Sequence, residues 1–542
     1  MRITNKIMQN NNLSNINTNK VYQDKLSTQM STQKKINRPS DDPVVAIRAL
    51  RLRSSVTEIT QYYSKNIPDA ESWLNVTEDA LKNLTQIMTN MISQCTKGSN
   101  GDLKTEDRQI ILEQLKALGE EVYSTGDADY AGRYVFTGYR TDTSLSFDAE
   151  QNIKYEITEQ LDKSAIDSVT KVNTGKLLDI TDSNYMDTGM QVEEQDISSV
   201  DVYRIRLAYN DCLALANGET AGLPSIQYQT PELDASNNPT GNYIWKTLGL
   251  NEGDPDNPAD DTNAMIQKHS YEDPYSYVAG EPNALVYVPE TGEVLLGKTY
   301  YEQLMGTKDD DATIANEAEI RVTYQKENWE KGDLRPEHYF ACESKPGTAD
   351  AIFYNKSYLE GNAERQDIEY DVGFNQTIRV NSTADECFQH GIGREVDDLV
   401  NAMQNVLDLE GIKKNLETLA EKAEEGSDKA TVLKNQLDAV NKALTYAKDK
   451  EQKLFEKGIT AFQGYLDDAN LCITNCGTRS SKLSLIKNRT QNQKTTFETL
   501  KSENEDIDIT EVAIQLTSAE LTYEAALMAA GKVTKTTLLN YI

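Results

Sequence analysis

Few residues in this chain of 542 could carry out catalysis or hold a metal, since it has only three histidines and six cysteines. The histidines (His269, His338 and His390) lie far apart in sequence, and no nucleophile elbow, phosphate-binding loop or metal-binding helix motif is present. The cysteines are scattered, unlike those of a disulfide scaffold or a zinc module. These absences argue against an enzyme and against dependence on a cofactor or a metal.

Long apolar segments are also missing. No run approaches the 18 or more apolar residues typical of a membrane-spanning helix, and the first 12 residues are polar and rich in Asn. The N-terminus therefore has none of the apolar core of a cleaved secretory signal peptide. We expect no membrane partner, and any export would proceed without a cleaved signal.

The net charge of −32 is concentrated in the middle of the chain, where residues 141–390 hold 47 acidic and 18 basic side chains. Residues 1–68 are mildly basic, with 11 basic and 4 acidic side chains. Nucleic acids and anionic membranes are bound by basic patches that release counterions from phosphate groups. The negative field argues against both kinds of partner.

Two short clusters leave a metal-binding alternative open. Cys472 and Cys476 lie one helical turn apart, so their thiols could share a face and bind a metal or oxidise. The acidic run of residues 254–261 offers oxygen ligands for calcium, but it lacks the Gly and the distal Glu of an EF-hand loop. We favour a seam residue with a flanking thiol in the first case and a solvated loop in the second.

Heptad periodicity is what the chain has in abundance, and it occurs near both ends. Apolar residues that recur every three or four positions form the seam of a coiled coil. The N-terminal stripe consists of Ala70, Leu74, Thr77, Leu81, Leu84, Met88, Met91 and Cys95. The C-terminal stripe consists of Leu433, Leu437, Val440, Leu444, Ala447 and Leu454, followed after a one-residue skip by Ile459, Phe462, Leu466, Ala469, Ile473, Cys476 and Leu483.

The second stripe implies a helix from residue 428 to about residue 506, on the order of 110 Å long at about 1.5 Å per residue. Such a helix is longer than a compact globule can use. The two stripes predict a mainly α protein in which both chain ends form a long antiparallel coiled-coil helical rod. The β-rich insert between them would form one or two outer β-rich domains.

Local signals mark several helix ends. Asp42 can cap a helix whose first residue is Pro43, and Asp508 with Glu511 has capping-box spacing. Pro68 predicts a break before the helix that carries the N-terminal stripe.

The middle of the chain has strand-like runs at residues 134–137, 284–288 and 368–372, among turn residues. Most of the 28 tyrosines also fall there. Tyr is an ordinary strand residue, and a carbohydrate-binding or adhesive Tyr surface is the alternative.

These signals divide the chain into five segments. They are 1–42, an N-terminal segment disordered until assembly; 43–140, an N-terminal helical rod; 141–385, the acidic β-rich outer domain or domains; 386–506, a C-terminal helical rod; and 507–542, a C-terminal assembly helix.

The two terminal segments are the candidate assembly contacts. Residues 1–42 are rich in Asn, Gln, Ser and Thr, and they cannot bury enough apolar area alone to offset the entropy lost on ordering. The last helix carries an apolar stripe with no evident partner in a soluble monomer. The residues predicted to make assembly contacts are Ile16, Leu26, Leu516, Tyr523, Leu538, Leu539 and Ile542.

Several short sequence motifs occur in a fixed order in the two terminal parts of the chain. They are Met1-Arg2-Ile3-Thr4, residues 32–43 ending in Ser40-Asp41-Asp42-Pro43, residues 132–138, Ile368-Glu369-Tyr370, residues 376–381, Gly477-Thr478-Arg479 and the closing Asn540-Tyr541-Ile542. Together they resemble the flagellin-type axial protein family of bacterial flagella. The first and last phrases fit its hook–filament junction branch better than the flagellins. One departure is Gln33, where the family usually has Gly, and it predicts a different end for the first helix.

The resemblance implies a structural subunit of the bacterial flagellum, exported unfolded by the flagellar type III apparatus to the cell exterior. It would form a homo-oligomeric ring between a hook-associated protein below and flagellin above, with an export chaperone as a possible further partner. Its mechanism would be assembly through coupled folding of the terminal helices. The alternatives are flagellin itself and a binding module, such as a coiled-coil adhesin or a chaperone.

Overall fold

A computed structural model describes residues 5–535, except 217–218, 220–221, 234–238, 252–261, 306–319, 361–365 and 425. The acidic run of residues 254–261 thus lies outside the described residues. The helices of the described part are Asn5–Thr32 (α1), Pro43–Gln61 (α2), Ile67–Gly98 (α3), Thr105–Gly126 (α4), Pro274–Gly280 (α5), Lys298–Met305 (α6), Ala384–Cys387 (α7), Gly391–Glu421 (α8), Asp428–Glu505 (α9) and Ile509–Lys535 (α10).

The strands lie between α4 and α7, apart from the helices α5 and α6 that interrupt them. They are Asp129–Tyr130 (β1), Arg133–Tyr134 (β2), Gln151–Leu161 (β3), Ile166–Asn173 (β4), Ser198–Arg206 (β5), Ser225–Leu233 (β6), Pro239–Thr247 (β7), Leu250–Asn251 (β8), Thr262–Asn263 (β9), Met265–Gln267 (β10), Leu285–Val288 (β11), Glu293–Leu296 (β12), Ile320–Trp329 (β13), Ala341–Ser344 (β14), Ile352–Tyr354 (β15), Glu369–Gly373 (β16) and Gln376–Arg379 (β17). The predicted fold class, mainly α with a β-rich middle, is confirmed.

The chain forms two compact units, which we call terminal and central. The terminal unit contains residues 1–71, 369–378 and 479–542. The central unit contains residues 72–368 and 379–478. The helices α3 and α9 contribute residues to both units.

Within the central unit, α3 and α9 run antiparallel. The thiol of Cys476 donates to the backbone oxygen of Leu74 at 3.4 Å, near the start of α3. At the other end of α3, a Cβ added to Gly98 would lie only 2.5 Å from the Phe455 ring. Gly98 is therefore needed for the close approach of the two helices.

All eight residues of the predicted N-terminal stripe, from Ala70 to Cys95, are buried. The residues buried along α9 agree less closely with the predicted C-terminal stripe. Buried residues along α9 include Val440, Leu444, Ala447, Glu451, Phe455 and Phe462, and Leu454 is only partly buried. The step from 447 through 451 to 455 repeats a spacing of four, which is a stutter in a heptad pattern. The predicted skip is present, with Glu451 and Phe455 rather than Leu454 facing inward.

The predicted break at Pro68 is wrong. The helical backbone continues from α2 through a π-turn, Tyr62–Asn66, into α3. Pro68 is the second residue of α3 and has no N–H to contribute to the helical hydrogen-bond ladder. The π-turn accommodates the proline without ending the helical course.

Two local predictions concern the ends of α1 and α2. Asp42 caps α2, because its carboxylate accepts from the amides of Val44 and Val45 at 3.0 and 3.1 Å. The prediction from Gln33 is wrong, since Gln33 itself adopts the left-handed conformation with φ of 58° directly after α1. The position keeps its turn geometry without glycine, at a cost of about 1 kcal/mol.

Two larger sheets form the β-rich part of the central unit. The five-stranded sheet has the order β10-β11-β12-β5-β4, and its β10–β11 pair is parallel. The six-stranded sheet has the order β15-β14-β3-β13-β6-β7 with antiparallel neighbours. Many tyrosines of this part lie in the core, as ordinary strand residues do: Tyr155, Tyr209, Tyr228, Tyr275, Tyr287, Tyr324 and Tyr339.

A buried carboxyl in the six-stranded sheet should make stability depend on pH. Glu159 on β3 is 1% exposed and accepts from the amide of Ala208 at 2.7 Å and from the Tyr324 hydroxyl. Burial raises its pKa to about 7. Because the folded pKa lies above the unfolded value, stability from this group is present at low pH and is lost as pH rises through about 7.

The wild type should lose roughly 0.5 to 1 kcal/mol of stability between pH 6.5 and pH 8, and we expect Glu159→Gln to remove this loss. Urea unfolding followed by circular dichroism at both pH values measures the difference. His338 and His390, whose pKa values burial lowers to about 4, change stability mainly below pH 6.5 and do not obscure this window. The matched control is Glu150→Gln, an exposed residue just before β3. Equal slopes for wild type and Glu159→Gln would refute the assignment.

Candidate assembly surface

The helices α1 and α10 pack against each other in the terminal unit. Leu26 of α1 and Val512 and Ala519 of α10 are buried in one small cluster, with Met30, Ile507 and Leu516 partly buried around it. The chain before α10 also pairs with the chain after α1, where Lys34 and Asp506 form an antiparallel bridge. Together these contacts make α1 and α10 an antiparallel pair.

The segments that end α1 and precede α10 are held by backbone hydrogen bonds. The amide of Lys35 donates to the oxygen of Glu505 at 2.7 Å, and the amide of Ile507 donates to the oxygen of Gln33 at 3.2 Å. Asp508 then caps α10 by accepting from the amides of Thr510 and Glu511 at 2.9 and 3.2 Å. The predicted start of the last helix is confirmed.

An ion-pair cluster fixes the same junction to α2. Arg53 donates to both carboxylate oxygens of Glu505 at 2.6 and 2.8 Å. This bond holds the pKa of Glu505 below its usual value. Lys34 pairs with Asp506 and lies 3.7 Å from Glu505. Glu505 is 3% exposed, so its bidentate pair with Arg53 contributes more than an ordinary surface ion pair.

The opposite face of α10 is apolar and exposed. Ile514, Leu521 and Met528 are 66%, 63% and 66% exposed, and they recur every seven residues. We call these three residues the outer stripe. Since positions seven apart lie on one side of a helix, the three side chains share a face that α1 leaves uncovered. Exposed apolar side chains occur on the neighbouring helices too: Ile7, Met8, Leu13, Val21 and Tyr22 on α1, and Val44, Ile47 and Leu50 on α2.

Four of the seven residues predicted to make assembly contacts lie in the described part of the chain, and they are buried or partly buried. Leu26 is buried and Leu516 partly buried in the α1–α10 cluster. Ile16 and Tyr523 are also partly buried. Leu538, Leu539 and Ile542 lie outside the described residues.

The sequence patterns did not identify the outer stripe as an exposed surface. The heptad spacing of Ile514, Leu521 and Met528 is visible there, but it runs beside the stronger stripe that begins with Val512. Both stripes have the same period, and only the placement of α1 shows which of them is covered.

Other chemistry is sparse in the described residues. No group of three or more His, Cys, Asp or Glu side chains in that part of the chain is placed to hold a metal. Nor does any helix there combine the length and the apolar character that crossing a membrane requires. His338 is buried and His390 partly buried, and loss of solvation lowers the pKa of each to about 4, so both are neutral near pH 7.

Comparison with known proteins bears on the N-terminal helices first. Residues 3–141 match the family model described as the bacterial flagellin N-terminal helical region. This part of the chain is therefore similar to the N-terminal helical region of bacterial flagellins. The match agrees with the resemblance to flagellin-type proteins noted in the sequence.

Curated relatives carry the names of hook-associated proteins and of a flagellin. Flagellar hook-associated protein 3 of Escherichia coli K12 is 30% identical over 191 residues, which cover 34% of this chain and 59% of the relative. The protein of the same name from Salmonella typhimurium is 29% identical over 145 residues, 27% of this chain and 45% of the relative. A flagellin of Clostridium tyrobutyricum is 29% identical over 122 residues, 22% and 32% of the two chains. The matches span about half the length of the hook-associated relatives, and they favour that branch over the flagellin branch.

Two solved structures of hook-associated proteins match this chain at low sequence identity and low TM-score. A putative flagellar hook-associated protein from Vibrio parahaemolyticus is 13% identical with a TM-score of 0.34, over 86% of this chain and all of that one. Flagellar hook associated protein-3 from Legionella pneumophila is 10% identical with a TM-score of 0.28, over 83% and 97% of the two chains. Scores below 0.5 do not establish a shared overall arrangement.

Proposed function

We propose that this protein is the structural subunit that joins the hook-associated ring to the flagellin filament. The outer stripe of α10 carries the proposal, because three exposed apolar side chains in register form a surface suited to packing against another subunit. The flagellin N-terminal region and the hook-associated relatives support the junction role. Flagellin itself is the second candidate, and the flagellin relative matches a shorter part of both chains.

The proposed assembly consists of several identical copies in a ring. A hook-associated protein would lie below this ring and flagellin above it, and a chaperone would accompany the subunit during export. We propose that the chain leaves the cell by the flagellar type III route without a cleaved signal peptide. Neither a nucleic acid nor a membrane is part of this proposal, and the subunit has a structural rather than an enzymatic role.

The proposed mechanism is coupled folding of the terminal helices. In the free subunit, α1 and α10 would be held together mainly by the small Leu26–Val512–Ala519 cluster. Most other α1 residues are polar or, like Ile7, Leu13 and Val21, exposed, and burial of a few side chains offsets little of the ordering entropy of two long helices. Contact through the outer stripe would supply the missing burial. We retain the division at 42, 140, 385 and 506 as the proposed domain boundaries.

Immunogold electron microscopy tests the junction role. An epitope tag inserted between Ala349 and Asp350, in an exposed turn between β14 and β15, should leave the terminal helices intact. We expect gold at one level between hook and filament, and hooks without filaments when the gene is deleted. The matched control is a tag on flagellin, which should label the filament along its length. Label on this protein all along the filament would replace the junction role with that of a filament subunit.

A further inference from the structure

The structure brings together two cysteines that lie far apart in sequence. Cys387 ends the short helix α7, and Cys472 lies in the middle of α9. Their thiols are hydrogen-bond partners. The Cys472 thiol also donates to the backbone oxygen of Glu386 at 3.2 Å, one peptide unit from Cys387. The side chains are 2% and 7% exposed, so each faces the other in the interior of the central unit.

The other sulfurs have different neighbours. Cys476, four residues from Cys472, donates to Leu74 on α3. Cβ atoms four residues apart on a helix are about 5 to 6 Å from each other, beyond the 3.5 to 4.5 Å that a disulfide requires. Cys212 donates to the backbone oxygen of Tyr209 at 3.3 Å. Cys472, by contrast, contacts the peptide unit that precedes Cys387.

We propose that Cys387 and Cys472 form a structural disulfide when the chain folds in the presence of an oxidised low-molecular-weight disulfide. The bond would tie α7, next to the β-rich part, to the long helix α9. It goes beyond the proposed junction role and does not depend on it. None of the six cysteines in the described residues forms a disulfide, so the oxidised form is a second covalent state of the same fold.

The reaction is two successive thiol–disulfide exchanges with oxidised glutathione. The Cys472 thiolate attacks one glutathione sulfur, which forms a mixed disulfide and releases one reduced glutathione. The Cys387 thiolate then attacks the Cys472 sulfur, forms the protein disulfide and releases the second reduced glutathione. Two electrons pass from the protein thiols to the oxidised glutathione, and the two thiol protons leave on the glutathione products.

Burial decides when the bond can form. The hydrogen bond that the Cys387 thiol shares with Cys472, together with burial, raises the pKa of Cys387 well above its usual value, so little thiolate is present in the folded state. Exchange should therefore proceed during folding, while both sulfurs are still accessible. Once the reduced chain has folded, the same reagent should act much more slowly.

Refolding of the purified full chain tests the proposal. The chain is unfolded, reduced and refolded either with dithiothreitol or with oxidised and reduced glutathione, and free thiols are then counted with Ellman's reagent in denaturant. We expect six thiols after the first treatment and four after the second. The oxidised form should have a melting temperature about 5 °C or more higher, because the bond closes a long loop.

Peptide mapping identifies the bond without relying on a variant that alters folding. Trypsin should release residues 380–394, with Cys387, joined to residues 458–479, with Cys472 and Cys476. Repeating the map in Cys476→Ser leaves Cys472 as the partner. Cys387→Ala should retain five thiols under both conditions, whereas Cys342→Ser, a matched buried control, should still lose two. Six thiols after oxidative refolding of the wild type, or a bond within residues 458–479, would overturn the proposal.

Discussion

Cells that carry Leu521→Asp in α10 should make hooks but no filaments, and their flagellin should appear unassembled in the medium. Leu521 is 63% exposed at the centre of the outer stripe, so an isolated subunit loses no internal packing when it is replaced. In a ring, the carboxylate would be buried in an apolar contact at a cost of several kcal/mol per copy. Motility assays, electron microscopy and immunoblots of the medium measure the result.

Leu516→Asp provides an informative comparison, because Leu516 lies on the opposite face of the same helix. It packs against the cluster that holds Leu26 and Val512. We expect this change to block filament growth as well, but through loosening of the α1–α10 pair. Amide exchange should therefore accelerate in α1 and α10 of Leu516→Asp and stay as in the wild type in Leu521→Asp. Melting of the central unit should be unchanged in both.

The control for the outer stripe is Thr522→Asp, which places the same charge on an exposed polar position of α10. This strain should swim normally. Full-length filaments in a Leu521→Asp strain that demonstrably contains the mutant protein would remove the outer stripe from the assembly contact. Filament loss in Thr522→Asp would show that α10 tolerates no added charge, and the face could then not be assigned.

Replacement of Arg108 by Leu should destabilise the central unit by about 3 to 5 kcal/mol. Arg108 on α4 is 1% exposed, and its Nε lies 3.1 Å from both carboxylate oxygens of Glu451 on α9. It also contacts Glu410 on α8 at 3.2 Å. Leucine would leave the buried Glu451 carboxylate without its cation. Urea unfolding followed by circular dichroism at 222 nm measures the loss.

A double variant shows how much of the stability loss comes from leaving one charge of the ion pair unpaired. In Arg108→Leu/Glu451→Leu both charges are absent, and we expect most of the lost stability to return because apolar side chains fill a buried ion-pair site well. Glu410 keeps Lys448 as a partner at 2.8 Å, so it does not become an isolated charge. Lys82→Ala, which removes an exposed pair with Glu78, should change stability by less than about 1 kcal/mol. A loss below 1 kcal/mol for Arg108→Leu would contradict this interpretation.

The helices were predictable where their signals are local. The 78 residues of α9 agree with the predicted span of 428 to about 506. Asp42 and Asp508 cap their helices as expected, because a capping carboxylate needs only the next two or three amides. Pro68 shows the limit of such signals, since a π-turn upstream, which no residue pattern announced, lets the helical course continue.

The candidate assembly surface was predicted only in part. The sequence shows that α10 is apolar along stripes with a period of seven, and it places Leu26 and Leu516 among the residues that need a partner. It does not show that the two meet each other within one chain. Only the tertiary structure shows that α1 covers one face of α10 and leaves Ile514, Leu521 and Met528 exposed on the other.

By itself, the sequence determined the class of the protein: long helices near both ends, an acidic β-rich middle and the motifs of the flagellin-type family. These properties follow from periodicity, capping and composition, which act over a few neighbouring residues. Only the tertiary structure decided which polar and sulfur groups meet. Arg108 and Glu451 are 343 positions apart, and Cys387 neighbours Cys472, whereas the sequence offered only a Cys472–Cys476 pairing, as the less favoured alternative. Such contacts depend on how α4, α7 and α9 pack against each other, and local sequence patterns do not predict the distances between helices.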